Sequence, residues 1–416
     1  MTDEPTLSRR RLVASLGGAG LALAAGGVGG FELGRRDGDD HPASSVVPFH
    51  GEHQAGIATP AQDRLVFAAF DTAATTKGEL REVLRTWTEA AERMTRGLAV
   101  GPVEGPLVAP PLDTGEALDL PAARLTVTFG LGPGLFDAGR GLGLESRRPA
   151  ALHDLPPLPG ELLDPARSGG DLCVQACADD PQVAFHAVRN LARLTRGATQ
   201  MRWLQLGFGR TSATTSAQAT PRNLQGFKDG TNNIKSDDAA AMAEHVWVGR
   251  DERQAWLRGG TYLVCRRIRM LIETWDRSSL DDQQQTIGRF KDSGAPLTGS
   301  EEHDPVDLAA RGADGQPVIP ADAHIRLASA AENGGVRILR RGYSYTDGID
   351  PVTGELDAGL FFVCFQRDPE RQFVALQRKL GSVDALREYI QHTSSAVFAI
   401  PPGVRRGGSV ADALFS

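Results

Sequence analysis

Short, nearly unbroken apolar runs alternate with stretches of helical periodicity along most of this chain. Leu65–Phe70, Arg124–Phe129 and Leu172–Cys177 read as strands covered on both faces, and Leu80–Arg96 reads as an amphipathic helix. A second series follows: a strand at Thr261–Ile268, a helical stretch near Asp281–Arg289, and strands at Val336–Tyr345 and Leu360–Phe365. The two series are linked by a repeat. Leu172–Cys177 leads through Asp180-Pro181 into Phe185–Val188. Leu360–Phe365 leads through Asp368-Pro369 into Phe373–Leu376, at the same offset of 188 residues. Proline suits the first turn of the helix that follows, where its missing N–H would have no partner.

Each half thus runs strand, helix, strand, strand, helix. That order predicts an α+β fold of duplicated ferredoxin-like domains, with antiparallel sheets and helices packed outside them. Sheet-against-sheet and side-by-side packing both fit the pattern. The Ser/Thr/Ala-rich stretch from Thr211 to Gln225 is the expected boundary, giving halves at 46–215 and 216–416. Segments 97–121 and 291–320 are rich in Gly, Pro and Asp, lack periodicity, and are expected to be long loops of functional weight. Residues 1–45 are set apart. Ser8-Arg9-Arg10-Arg11-Leu12-Val13 resembles a twin-arginine export signature, and an uncharged, Gly/Ala-rich run from Leu12 to Phe31 follows it. That run is too mildly apolar for an ordinary membrane span, and Gly34–Ser45 reads as a linker. The expected location is the periplasm, the cell envelope or the exterior.

Composition narrows the function. Of 416 residues, 41% are hydrophobic and 23% charged, which suits a folded globular chain. A net charge of −7 argues against nucleic acid as the main partner. The four cysteines, Cys173, Cys177, Cys265 and Cys364, lie in strand-like runs without C-x-x-C spacing. They read as buried small hydrophobes rather than disulfides or metal ligands.

The chemistry concentrates in Gly226-Phe227-Lys228-Asp229-Gly230-Thr231-Asn232-Asn233, with His324 and Arg340-Arg341 downstream. Asp229 between glycines reads most simply as a turn. The sharper reading is an acid–base carboxylate on a backbone that glycine lets approach a ligand. His324 stands among Ala321, Ala323, Ala328 and Ala330, small neighbours that leave room for a flat macrocycle above a ligating imidazole. Of Arg340 and Arg341 only one can face inward from a strand. A hydrolase using Asp304 and Asp307 is a weaker reading, because no motif supports it.

Taken together, Gly226–Gly230, the Ala-His-Ile-Arg run at 323–326, Arg340-Arg341-Gly342-Tyr343-Ser344-Tyr345, Phe49–Ile57 and Phe362–Pro369 resemble the dye-decolorizing (DyP-type) haem peroxidases. With the leader, they resemble the exported deferrochelatase/peroxidase branch. The resemblance runs from about Phe49 to the C-terminus. It implies one haem b per chain, bound in the C-terminal half. It further implies His324 as proximal iron ligand, Asp229 moving a proton between the peroxide oxygens, and Arg340 stabilising the charge on the leaving oxygen. Gly226, Phe227, Lys228, Gly230, Thr231 and Arg341 are the expected remainder of the cofactor site. Hydrogen peroxide and small aromatic donors such as dyes and phenols are the implied substrates, with Trp247, Trp256, Trp275, Tyr262, Tyr343, Tyr345 and Tyr389 as candidate relay residues. The alternative activity is release of iron from haem with the porphyrin intact. Candidate protein partners are iron-uptake or copper proteins of the envelope; a homo-oligomer is compatible with the family, though no segment marks an interface.

Overall fold

The structure is a computed structural model and describes residues 46–416; the leader and linker at 1–45 lie outside the described residues. The first half supplies β1 (Arg64–Thr72), α1 (Lys77–Met94), β2 (Thr126–Leu131), β3 (Leu172–Ala178), α2 (Pro181–Leu194) and β4 (Thr199–Arg210). The second supplies α3 (Ala239–His245), β5 (Thr261–Met270), α4 (Ile272–Arg277), α5 (Leu280–Ile287), α6 (His324–Leu327), β6 (Leu339–Arg340), β7 (Tyr343–Ile349), β8 (Leu356–Gln366), α7 (Ala375–Val383) and β9 (Ile390–Ile400).

Local chemistry accounts for the element ends. Thr76 caps α1 by accepting from the Glu79 N–H, and Asp180 caps α2 by accepting from Gln182 and Val183, with Pro181 in the first turn. Gly288, in the left-handed region at φ +90°, ends α5. The second copy of the repeat departs from the first. Asp368 again receives two backbone N–H groups, from Glu370 and Arg371, but the chain then makes a π-turn over Glu370–Val374 before α7. The strand expected over Val336–Tyr345 is shorter and interrupted. Its pieces β6 and β7 nonetheless keep one register on β8, with Arg340 opposite Cys364 and Tyr343 opposite Phe361.

Within the first half the strands lie in the order β2-β3-β1-β4, and within the second in the order β9-β5-β8-β7, all antiparallel. Both are the ferredoxin-like order. The halves meet edge to edge at two seams, β4 with β7 and β2 with β9, so eight strands close into a ring. Closure removes the free sheet edges. It also divides the apolar residues into two populations, because side chains alternate across each strand. Leu65, Phe67, Cys173, Cys177, Leu263, Cys265, Phe361, Val363 and Phe398 fill the interior. Val66, Val127, Val174 and their neighbours face outward against α1 and α2. The four cysteines are buried and free, as their strand setting implied.

The β2–β9 seam is thin, with one paired position, Leu131 opposite Ala399. Gln54 reinforces it. Its amide accepts from the Phe129 N–H at 2.8 Å and donates to the carbonyls of Phe129 and Pro401, each at 3.0 Å. Gly56, at φ +93°, lets the same segment pass so close to β2 that a Cβ would stand 2.4 Å from Thr128 Oγ1. The Phe49–Ile57 stretch is therefore a staple between the halves. Replacing Gln54 with Ala leaves three buried backbone groups unpaired and is expected to cost about 2–4 kcal/mol, read as a lower urea midpoint with unchanged slope.

Candidate active site

With the ring interior filled, the large cavity lies on the outer face of the second half, between the sheet and the loops and short helices around α5–α7. Its volume is about 1750 Å3. The floor is built from outward-facing positions: Arg266, Ile268 and Met270 of β5, Leu360 and Phe362 of β8, and His392 of β9. Pro159 and Gly160 show that the first half also contributes to the wall.

His324 opens α6 and borders the cavity, with 32% of its side chain accessible. Its Nδ1 hydrogen-bonds Asp384 Oδ2 at 2.7 Å. Asp384 is 5% accessible and is itself held, since Oδ1 accepts from the Leu386 N–H at 2.9 Å. Burial opposes protonation of the ring, but the Asp384 carboxylate outweighs it and raises the imidazole above its ordinary pKa. With Nδ1 committed to Asp384, the Nε2 lone pair is the one left for a metal, and the carboxylate makes it a stronger donor.

Asp229 and Arg340 border the same cavity. Arg340 Nη1 lies 2.6 Å from Asp229 Oδ1, while Asp229 Oδ2 accepts only from Asn223 Nδ2, at 3.3 Å. Asn233 grips the main chain of Arg340: its Oδ1 accepts the Arg340 N–H and its Nδ2 donates to the Arg340 carbonyl, both at 2.8 Å. The charges of Arg340 and Asp229 act with opposite signs on the ring of His324. Imidazole, carboxylate and guanidinium thus border one cavity and share one field.

Other expected residues sort by geometry. Phe227 packs edge-to-face on Trp275 at 5.9 Å and lines the wall. Lys228, Gly230 and Thr231 also line it; Lys228 pairs with Glu302, and Thr231 Oγ1 donates to Glu302 at 3.1 Å. Gly230, at φ +90°, sits where a Cβ would come 3.0 Å from the Ser212 Cα. Two expectations need correction. Gly226 is a turn residue at φ +83°, backed by the Lys291 stem, and is not among the lining residues. Arg341 turns away from the cavity: its guanidinium is bonded to the Thr59 carbonyl and Gln62 Oε1 and is fully buried. The reason is strand alternation, which sends Arg340 outward and Arg341 toward the ring interior. Asp304 and Asp307 bond to the backbone of their own loop, so the two-carboxylate hydrolase has no site. Asp384, Glu302, Arg266 and His392 were not singled out from the sequence. Glu302 lies in a loop marked as functional; the others carry no local signal.

Seven Lys and Arg side chains line the cavity against three Asp and Glu. A floor with Ile268, Met270, Leu360 and Phe362, a carboxylate-backed imidazole and a cationic surplus fit an iron porphyrin bearing two carboxylates.

Sequence and structural comparisons agree. Family models described as Dyp-type peroxidase, N-terminal and Dyp-type peroxidase, C-terminal match residues 54–209 and 220–405. The deferrochelatase of Escherichia coli strain K12 is 38% identical over 410 residues, covering 97% of this chain and 95% of that one. A DyP-type peroxidase from Streptomyces coelicolor superimposes with a TM-score of 0.82 at 42% identity, covering 90% of this chain and 98% of that one. Ferric DtpA from Streptomyces lividans superimposes at 0.81 with the same identity and coverage. The chain belongs to the Dyp-type peroxidase family: it is a haem-binding oxidoreductase that uses peroxide.

One floor residue ties the site to acid stability. Burial, then the Arg266 charge, push the pKa of His392 down to about 3. An unfolded histidine titrates near ~6.5. Between those values the unfolded chain holds a proton that the fold refuses. Stability is therefore fully present above about pH 6.5 and falls toward pH 3, by up to roughly 1.4 kcal/mol per unit. His392→Phe is expected to flatten this slope; urea midpoints of both proteins near pH 7 and pH 5 check it, and parallel losses would refute it.

Proposed function

We propose that the chain reduces hydrogen peroxide at a haem held by His324 and oxidises small aromatic donors such as dyes and phenols, with Asp229 and Arg340 as the catalytic pair. The observation that carries the reading is the sharing of one cavity by the Asp384-backed imidazole and the Arg340–Asp229 pair. When bound, haem supplies the iron at which peroxide is activated and the ring that stores oxidising equivalents. His324, with Nδ1 on Asp384, would hold the metal through Nε2. Asp229 Oδ2, the oxygen not committed to Arg340, takes the proton from the nearer peroxide oxygen and returns it to the departing one. Arg340 offers its guanidinium to the charge that grows on that departing oxygen. Phe227, Lys228, Gly230 and Thr231 shape the wall on the Asp229 side. Donors too large for the cavity exchange electrons at the surface. Trp275, packed against both Phe227 at the wall and the half-buried Tyr389, supports such a path.

The division into halves at 46–215 and 216–416, and export by the twin-arginine route to the periplasm, envelope or exterior, belong to the same reading. The Ser8–Val13 signature supports export, and iron-uptake or copper proteins are the partners that compartment offers. Retention of an Arg9→Lys/Arg10→Lys/Arg11→Lys variant inside the cell would bear this out.

Release of iron from haem is the second reading, favoured by the name and near-complete overlap of the Escherichia coli relative. Recovery of metal-free porphyrin from the haem-loaded protein supports it; intact haem throughout rules it out.

For the peroxidase, Asp229→Asn is expected to slow the reaction with peroxide by about 10²–10⁴-fold and Arg340→Leu by about 10²–10³-fold, with haem retained. His324→Ala is expected to lose the metal ligand itself. Stopped-flow absorption at the haem Soret band after peroxide mixing measures the first two; a wild-type rate in Asp229→Asn would sink the assignment.

A further inference from the structure

Glu302 takes no part in the scheme above, yet its side chain is only 13% accessible and borders the cavity. It comes from the long loop between α5 and α6. One carboxylate oxygen accepts from Lys228 Nζ and the other from Thr231 Oγ1. Those two residues straddle Asp229 and Gly230. Neutralising Lys228 would need only one of the two oxygens; the second spans the turn.

The brace has a fixed base. Arg289, 5% exposed, donates from Nη1 to the Gly294 carbonyl at 2.6 Å and to the Glu302 carbonyl at 3.0 Å. The Lys228 stem runs across Gly294 so closely that a Cβ there would stand 2.6 Å from Lys228 Cδ. Arg222 ties the two loops again, donating to the carbonyls of Gly226, Lys291 and Asp292. Burial works against the Glu302 carboxylate, but Lys228, with the Thr220 and Thr231 hydroxyls, holds its pKa below the usual range. The turn that carries Asp229 has glycines at φ +83° and +90°. Its backbone is tied to the preceding segment by the Asp229 N–H on the Pro221 carbonyl at 2.9 Å, and Glu302 adds a side-chain tie on either side of Asp229.

We propose that Glu302 is a positioning residue for the peroxide step: by bridging Lys228 and Thr231 it fixes where the Asp229 carboxylate stands relative to Arg340. Asn233 fixes the other member of the pair through the Arg340 backbone, so each partner is set by its own clamp. This inference rests on the acid–base role assigned to Asp229.

The test compares haem-loaded wild type with Glu302→Ala, Glu302→Gln, Thr231→Val and Asp229→Asn. The peroxide rate constant is measured by stopped flow, and haem content and the resting absorption spectrum are recorded in parallel. Glu302→Ala is expected to lose roughly ten- to a hundredfold in rate, since a small misplacement of a reacting group is that costly. Its haem content and resting spectrum should match wild type, because His324 is untouched. Glu302→Gln keeps an acceptor for Lys228 and should recover most of the rate. Thr231→Val cuts one link without disturbing the ion pair and should show a smaller loss. Glu302→Ala within about twofold of wild type, beside a slow Asp229→Asn, overturns the proposal. So does Glu302→Gln as slow as Glu302→Ala, an unchanged Thr231→Val, or a rate loss that only tracks lost haem. If Asp229→Asn keeps the wild-type rate, the failure lies in the Asp229 assignment beneath it.

Discussion

Alternation of side chains across a closed ring of strands is the constraint on which this molecule depends. Eight strands joined at two seams leave no open edge and no choice about what each residue faces. The interior is filled by both halves together, with Phe67 of β1 against Phe361 of β8 and Phe398 of β9. A packed interior has no room for a macrocycle, so the cavity forms on the outer face of the second half. The same rule selects Arg340 for the cavity and buries its neighbour Arg341 at the end of the ring, where Thr59 and Gln62 receive it.

Four basic groups lining the cavity are paired with carboxylates, which offsets the cost of burying them. Arg266 is 1% accessible and pairs with Glu161, a residue of the first half. Asp384 answers His324, Asp229 answers Arg340, and Glu302 answers Lys228. Groups paired in this way hold fixed orientations, because turning any one of them costs its partner a charge-assisted hydrogen bond. The acid–base role proposed for Asp229 and Arg340 would gain from that rigidity, because neither group need reorganise when charge develops.

The fold was largely legible. The 188-residue repeat, the Asp-Pro helix starts and the uninterrupted strand runs are local signals, and the ferredoxin-like order follows from them. Edge-to-edge closure was not legible, because sheet-against-sheet packing satisfies the same apolar runs. Within the site, His324, Asp229 and Arg340 stood out only through resemblance to a family; the residues alone left Asp229 as a turn. The turn is present, since Gly230 makes it, and it presents Asp229 to the cavity.

Sequence by itself determined what is encoded over a few consecutive residues: strand and helix positions, helix caps, the duplication, and the glycine-flanked carboxylate. Tertiary structure alone decided the pairings between distant segments. Asp384 lies 60 residues beyond the histidine it orients, and Glu302 lies 71 and 74 residues beyond the hydroxyl and ammonium it bridges. Nothing in the neighbourhood of such residues marks them. A buried hydrogen bond between remote residues is specified by how the chain closes on itself, and only the closed chain reveals it.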